Sequence, residues 1–164
     1  MAVKIVLGGI VALIIAITIL AGSLYLGSLY LGDLSNDVVT IEVQDLIISE
    51  SAYETAPRDP FSSISADIDN DILKVKARYG GGCNEHDFAL IASPGFMESN
   101  PVQANAVLSH DAHNDSCEAL ITQDLAFDLS PLKEAWQQAY QQTSGIILIH
   151  LEVGEESISL TYQF

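Results

Sequence analysis

The sequence predicts a mainly β domain: an antiparallel β-sandwich, or a barrel-like relative, of about seven or eight strands with one short helix, preceded by a single transmembrane helix. Three observations carry that prediction. An uncharged apolar run fills residues 5–32, period-two alternation dominates the remainder of the chain, and one stretch after Asp128 switches to helix-start signals. The chain therefore divides into an N-terminal membrane segment, residues 1–32, and an acidic β-rich domain, residues 33–164.

The apolar run of 28 residues, at about 1.5 Å per residue, makes a helix of roughly 42 Å, longer than the ~30 Å hydrocarbon core it has to cross. Lys4 lies on one side of it, and Asp33, Asp37 and Glu42 follow on the other. The positive-inside rule then leaves the N-terminus in the cytoplasm and the domain outside, in the periplasm or at the cell surface. A cleaved signal peptide is the competing reading, with Ala21-Gly22-Ser23 as the small-residue site, but the apolar stretch continues well past that point. Leu20-Ala21-Gly22 would suit a lipidated cysteine, yet Ser23 stands where the cysteine would be, and a hydroxyl cannot carry the thioether lipid. Gly8, Ala12 and Ala16 have the small-residue spacing that lets two helices approach, which makes a helix-mediated homodimer an expectation. Gly-Ser-Leu-Tyr-Leu, at 22–26 and again at 27–31, reads as a local duplication.

All 22 acids lie at Asp33 or later, against five bases (Arg58, Lys74, Lys76, Arg78 and Lys133), a formal charge of about −17 over 132 residues. Such a surface repels phosphates, so nucleic acid is excluded as a partner, as are anionic lipid headgroups. The remaining partners are the membrane, through the N-terminal helix, and another protein.

Within the domain, Val39, Ile41 and Val43 alternate with polar residues and predict a strand reaching about Ile48. Pro57 and Pro60 mark residues 49–62 as a loop. Ile64, Ala66 and Ile68, then Leu73, Val75, Ala77 and Tyr79, predict a hairpin across Asp69-Asn70-Asp71. Gly80, Gly81 and Gly82 are expected to break that strand. Further strands are expected around Phe88–Ala92, 104–110, 117–127, 146–153 and 156–162. The last two pair across Gly154-Glu155. Ser130 as N-cap and Pro131 in the first turn predict a helix running to about Gln142 and stopped by Gly145, with Trp136 and Tyr140 on its packing face. Asp67 to Asp71 resembles the opening of a calcium loop, but Ile72 occupies the glycine position, which favours a solvated turn.

Both cysteines of the chain sit in unusual surroundings, Gly80-Gly81-Gly82-Cys83-Asn84-Glu85-His86 and His110-Asp111-Ala112-His113-Asn114-Asp115-Ser116-Cys117-Glu118. Outside the cytoplasm the simplest expectation is a Cys83–Cys117 disulfide closing a loop of about 35 residues. The alternative is a metal site, zinc or copper. Cys83, His86, His110, His113 and Cys117 are suitable ligands, and with the disulfide formed His86, His110, His113 and a carboxylate such as Asp111 remain. A Cys83–histidine nucleophile is the third reading and needs a free thiol. No catalytic residue is assigned, and no cofactor is required by the leading reading.

Gly80-Gly81-Gly82-Cys83-x2-His86-x-Phe88, Ser109-His110 followed by Asp115-x-Cys117-Glu118-Ala119, and Phe127-Asp128-Leu129-Ser130-Pro131-Leu132 resemble an uncharacterised family of small exported bacterial proteins, many of them lipoprotein-like. The similarity spans Ile72 to Phe164. It implies export and a β-rich domain and supplies no activity. Ser23 departs from the lipoprotein pattern. The leading expectation is a membrane-anchored extracytoplasmic binding or structural module, with metal handling second and a cysteine-dependent enzyme third.

Overall fold

A computed structural model describes residues 41–164. The membrane segment, with Ser23, the tandem repeat and the Gly8/Ala12/Ala16 spacing, lies outside the described residues, as does the start of the first expected strand. Among the described residues no helix is long and apolar enough to cross a membrane.

Among the described residues, nine strands and two short helices follow one another as β1 (Val43–Asp45), β2 (Ile47–Ile48), α1 (Glu50–Thr55), β3 (Ser62–Asp69), β4 (Ile72–Gly81), β5 (Asp87–Ala92), β6 (Val102–Asp111), β7 (Ala119–Asp128), α2 (Ser130–Tyr140), β8 (Ile146–Val153) and β9 (Glu156–Gln163). They form a four-stranded sheet of order β1-β7-β4-β3 and a five-stranded sheet of order β2-β5-β6-β8-β9. The inward stripes of the two sheets meet in one apolar core. Leu73, Val75 and Phe127 come from one side and Leu90, Leu108, Ile149, Leu151 and Tyr162 from the other.

The expectation of an antiparallel sandwich is corrected to two mixed sheets. β1 with β7, β2 with β5, and β6 with β8 all run parallel. Between β6 and β8 the chain crosses to the opposite sheet as β7 and returns through α2, a connection long enough for a parallel crossover. Alternation reveals which side chains face inward but not which strand lies alongside.

The first expected strand is also divided. Leu46 is buried in the core and its N–H donates to Asp128 O (3.1 Å), so the chain passes there from one sheet to the other. Ile41 and Val43, the expected inward stripe, are instead about half exposed. Residues 50–55 form α1 rather than loop, because the Ser49 hydroxyl caps the helix by accepting from Ala52 N (3.2 Å) and Glu50 sits in the first turn. Pro57 follows directly on the C-cap, Ala56, and stops the helix rather than preventing it.

The β3–β4 hairpin forms as expected, turning at Asn70 with φ 55°. Leu73, Val75, Ala77 and Tyr79 are buried, while Lys74, Lys76 and Arg78 face outward. A register slip between Ser63 and Ser65 turns Ile64 out of the core stripe. Gly80 and Gly81 still pair with β7, as far as Gly81↔Ala119, and β4 then ends just before Cys83, as expected.

Leu129, not Ser130, is the N-cap of α2, and Asp128 Oδ1 accepts from Ser130 N (2.8 Å). Pro131 stands in the first turn as expected, and the helix ends at Tyr140 with Gln141 left-handed at φ 54°. Gly145 has a different task. A Cβ there would lie 2.4 Å from Trp136 Cη2, so its missing side chain makes room for the buried indole.

Candidate functional site

The cysteines and histidines of the two unusual segments are brought together at the end of β4, the start of β5 and the loop between β6 and β7. Cys83 and Cys117 are joined by a disulfide with Cα atoms 5.9 Å apart, so neither presents a thiolate. A metal site that uses the cysteines and a Cys83–histidine nucleophile both lose the free sulfur they need by this bond.

Asp115 organises the turn beneath the disulfide. Its Oδ2 accepts the backbone N–H groups of Gly82 (2.8 Å), Cys83 (2.8 Å) and Asn84 (2.9 Å), and its Oδ1 accepts that of Cys117 (2.9 Å). The backbone N–H of Asn84, followed by those of Cys117 and Cys83, holds this carboxyl far below the usual carboxylate range. Asp115, Cys83 and Cys117 place an oxygen and two sulfurs within 4.8 Å of one another, but the sulfurs are bonded together and the oxygen is filled by N–H donors. Two of the three glycines are needed here for geometric reasons. A Cβ at Gly81 would come within 2.5 Å of His86 Nε2, and Gly82 adopts φ +112°, whereas a Cβ at Gly80 would meet nothing.

His86 and His110 meet with Nδ1 and Nε2 2.8 Å apart. Beyond them, His86 Nε2 lies 3.3 Å from Asp115 Oδ2, and His110 Nδ1 lies 3.1 Å from Asp59 O. Aromatic rings enclose the pair: Tyr79 stacks on His86 (centroids 4.6 Å) and Phe88 on His110 (4.4 Å). His110 is almost fully buried, and that burial pushes its pKa down. The segment preceding β3 seals this side, with Asp59 N donating to His110 O and His110 N donating to Pro57 O.

His113 goes elsewhere. Its exposed ring contacts Asp87 Oδ2 (2.8 Å) and Asp111 Oδ1 (3.5 Å), on a residue with left-handed φ 48°. The expected set of His86, His110, His113 and Asp111 therefore separates into a buried pair and an exposed imidazole–carboxylate group. Glu118 is exposed beside the staple. The hydrogen bond that His113 donates to Asp87, then the charge of Asp111, raise the His113 pKa. A group raised in this way contributes stability below its unfolded-state value and loses the contribution as pH rises through the folded value. Asp87→Asn is expected to lower the His113 titration midpoint, read from its ring proton shifts.

Two depressions flank Pro60. One of about 310 Å³ includes Asp59, Gly80, His110 and Asp115, and another of about 400 Å³ includes Arg58, Phe61, Gly154 and Glu156.

Fold and hub together define a class, a disulfide-stapled acidic domain of two mixed β-sheets. No family model and no curated protein sequence matches this chain. Among solved structures, a NigD-like immunity protein from Bacteroides caccae superposes with a TM-score of 0.54 at 16% identity, over 73% of this chain and 58% of that one. A protein of unknown function from Bacteroides vulgatus gives 0.49 at 15%, over 76% and 56%, and a protein described as a lipoprotein from Bacteroides fragilis gives 0.48 at 11%, over 75% and 70%. The first of these likenesses establishes a shared fold, and the chain spans little more than half of that neighbour's length.

Proposed function

We propose that this chain is a membrane-held extracytoplasmic module whose acidic domain binds a cationic protein, and that its disulfide hub serves to hold the binding domain in shape. The observation that carries the reading is the charge distribution. Four of the domain's five bases are already paired: Arg58 with Glu152, Lys74 with Asp69, Lys76 with Asp124, and Lys133 with Asp71. The large remainder of acids is left to act on a partner, where complementary charge steers encounter and selects the partner. The hub supports the scaffold role, because its polar atoms bond one another instead of converging on an open point. The resemblance to exported bacterial proteins agrees with this placement.

The test is made in a bacterial host expressing the full chain. The domain is expected in the membrane fraction, cut by protease added outside spheroplasts, and cross-linked in place to a discrete partner whose adduct weakens as salt rises. A soluble cytoplasmic chain, or an adduct indifferent to salt, overturns the reading.

A further inference from the structure

Each end of the buried histidine pair faces an atom that can only accept a hydrogen bond. His110 Nδ1 lies 3.1 Å from the carbonyl oxygen of Asp59, so that nitrogen carries a proton. His86 Nε2 lies 3.3 Å from Asp115 Oδ2, a carboxylate oxygen that already accepts three backbone N–H groups, so this nitrogen carries one too. Each imidazole has then spent the one proton of its neutral form on an outer contact. The inner contact, at 2.8 Å, would set two lone pairs against each other unless a further proton lies between them.

We propose that the His86–His110 pair holds three N–H protons rather than two, one buried imidazolium balanced by the Asp115 carboxylate, and that this charge latches the Gly80–His86 turn to the 110–117 loop.

The surroundings favour a cation. The side chains of His86 and Asp115 are 1% and 0% exposed, so their attraction is little screened by water. Tyr79, from β4, turns its ring face to His86, the geometry in which an aromatic quadrupole stabilises positive charge. The carboxylates around the pair are Asp59 from the segment before β3, Asp111 at the end of β6, Asp115 from the loop after it, and Asp87 at the start of β5, where it is engaged by His113; Arg58, whose backbone bridges to His110, turns its guanidinium to Glu152. Burial disfavours charge on His110, and the Asp115 carboxylate lies on the His86 side of the pair. Removing the third proton costs the pair one of its three contacts, to Asp59, to Asp115 or between the rings, so deprotonation weakens the latch while the disulfide still ties the two loops.

The experiment counts protons directly. The full-length, uniformly 15N-labelled protein in detergent micelles at neutral pH is examined by long-range 1H–15N correlation, in which each ring nitrogen reveals whether it bears a hydrogen. Exposed His113 serves as the reference. The expected result is three protonated nitrogens and one bare nitrogen in the His86–His110 pair, with slow exchange of their hydrogens. Two protonated nitrogens overturn the proposal. In Asp115→Asn the counter-ion is gone, and the pair is expected to fall to two. A folded Asp115→Asn protein that keeps three overturns the role of Asp115. If that variant does not fold, the count in the unsubstituted protein decides alone.

Discussion

Replacing Cys83 and Cys117 together by alanine is expected to lower stability by about 3–4 kcal/mol, the loop-closure entropy returned to the unfolded chain by opening a loop of roughly 35 residues. Two features of the hub bear on where this loss is felt. The bridge ties the end of β4 to the loop before β7, but β4 and β7 already pair over ten residue positions from Ile72↔Asp128 to Gly81↔Ala119. The sheet therefore persists without the bond, and the loss is expected in global unfolding by urea, not in strand content measured by circular dichroism. The Asp115 contacts to Gly82, Cys83 and Asn84 are made through backbone N–H groups, which alanine retains. Hydrogen exchange at those three amides is expected to quicken less than overall stability falls. Exchange as fast as in an unfolded loop would show that the disulfide, and not the carboxylate, holds the turn.

Phe127→Ala is expected to cost about 3–5 kcal/mol, in the range found when a buried ring is removed and its cavity cannot collapse. Phe127 is fully buried on β7, flanked in register by Leu73 of β4 and Gln44 of β1. Both neighbours belong to paired strands, and the residues across the core, such as Leu151 and Tyr162, are held equally firmly by their own ladder. Little around the gap can move to fill it. Leu120→Ala, on the same strand but 72% exposed, is expected to change stability by no more than about 0.5 kcal/mol. Paired urea titrations of the two variants make the comparison, and equal losses would mean that β7 does not bury Phe127 as described.

Much of this architecture can be read from short stretches of chain. The β4 stripe from Leu73 to Tyr79, the Asn70 turn and the Gly154 hairpin each depend on neighbours within a few residues, and alternation or turn chemistry reports them directly. The β4 strand illustrates the limit of such signals. Three consecutive glycines signal the end of the strand, but not that two of them stay paired nor that the backbone there passes close to His86. A sharper signal lies in the spacing of an aspartate two residues before the second cysteine, opposite a glycine turn that offers consecutive N–H groups.

The candidate site divides along the same line. Its members are legible because cysteine, histidine and glycine are concentrated in two short segments, and the cysteine pairing follows from there being only two. Their partition is not legible: His86 joins His110, 24 residues away, while His113, three residues past His110, turns outward to Asp87. Side-chain direction at a loop with left-handed residues at 113 and 114 depends on what the loop packs against.

By itself, then, the sequence determined an acidic, mainly β domain behind an apolar N-terminal run, its local strands and turns, and the two segments that the disulfide joins. Only the tertiary structure decided that the sheets are mixed, that the chain changes sheet at Leu46, and that two imidazoles pair beneath the staple with one of them on the Asp115 carboxylate. The reason is physical. Hydrophobic period and turn preference are properties of adjacent residues, whereas strand neighbours and buried hydrogen-bond partners are selected by the packing of segments far apart along the chain.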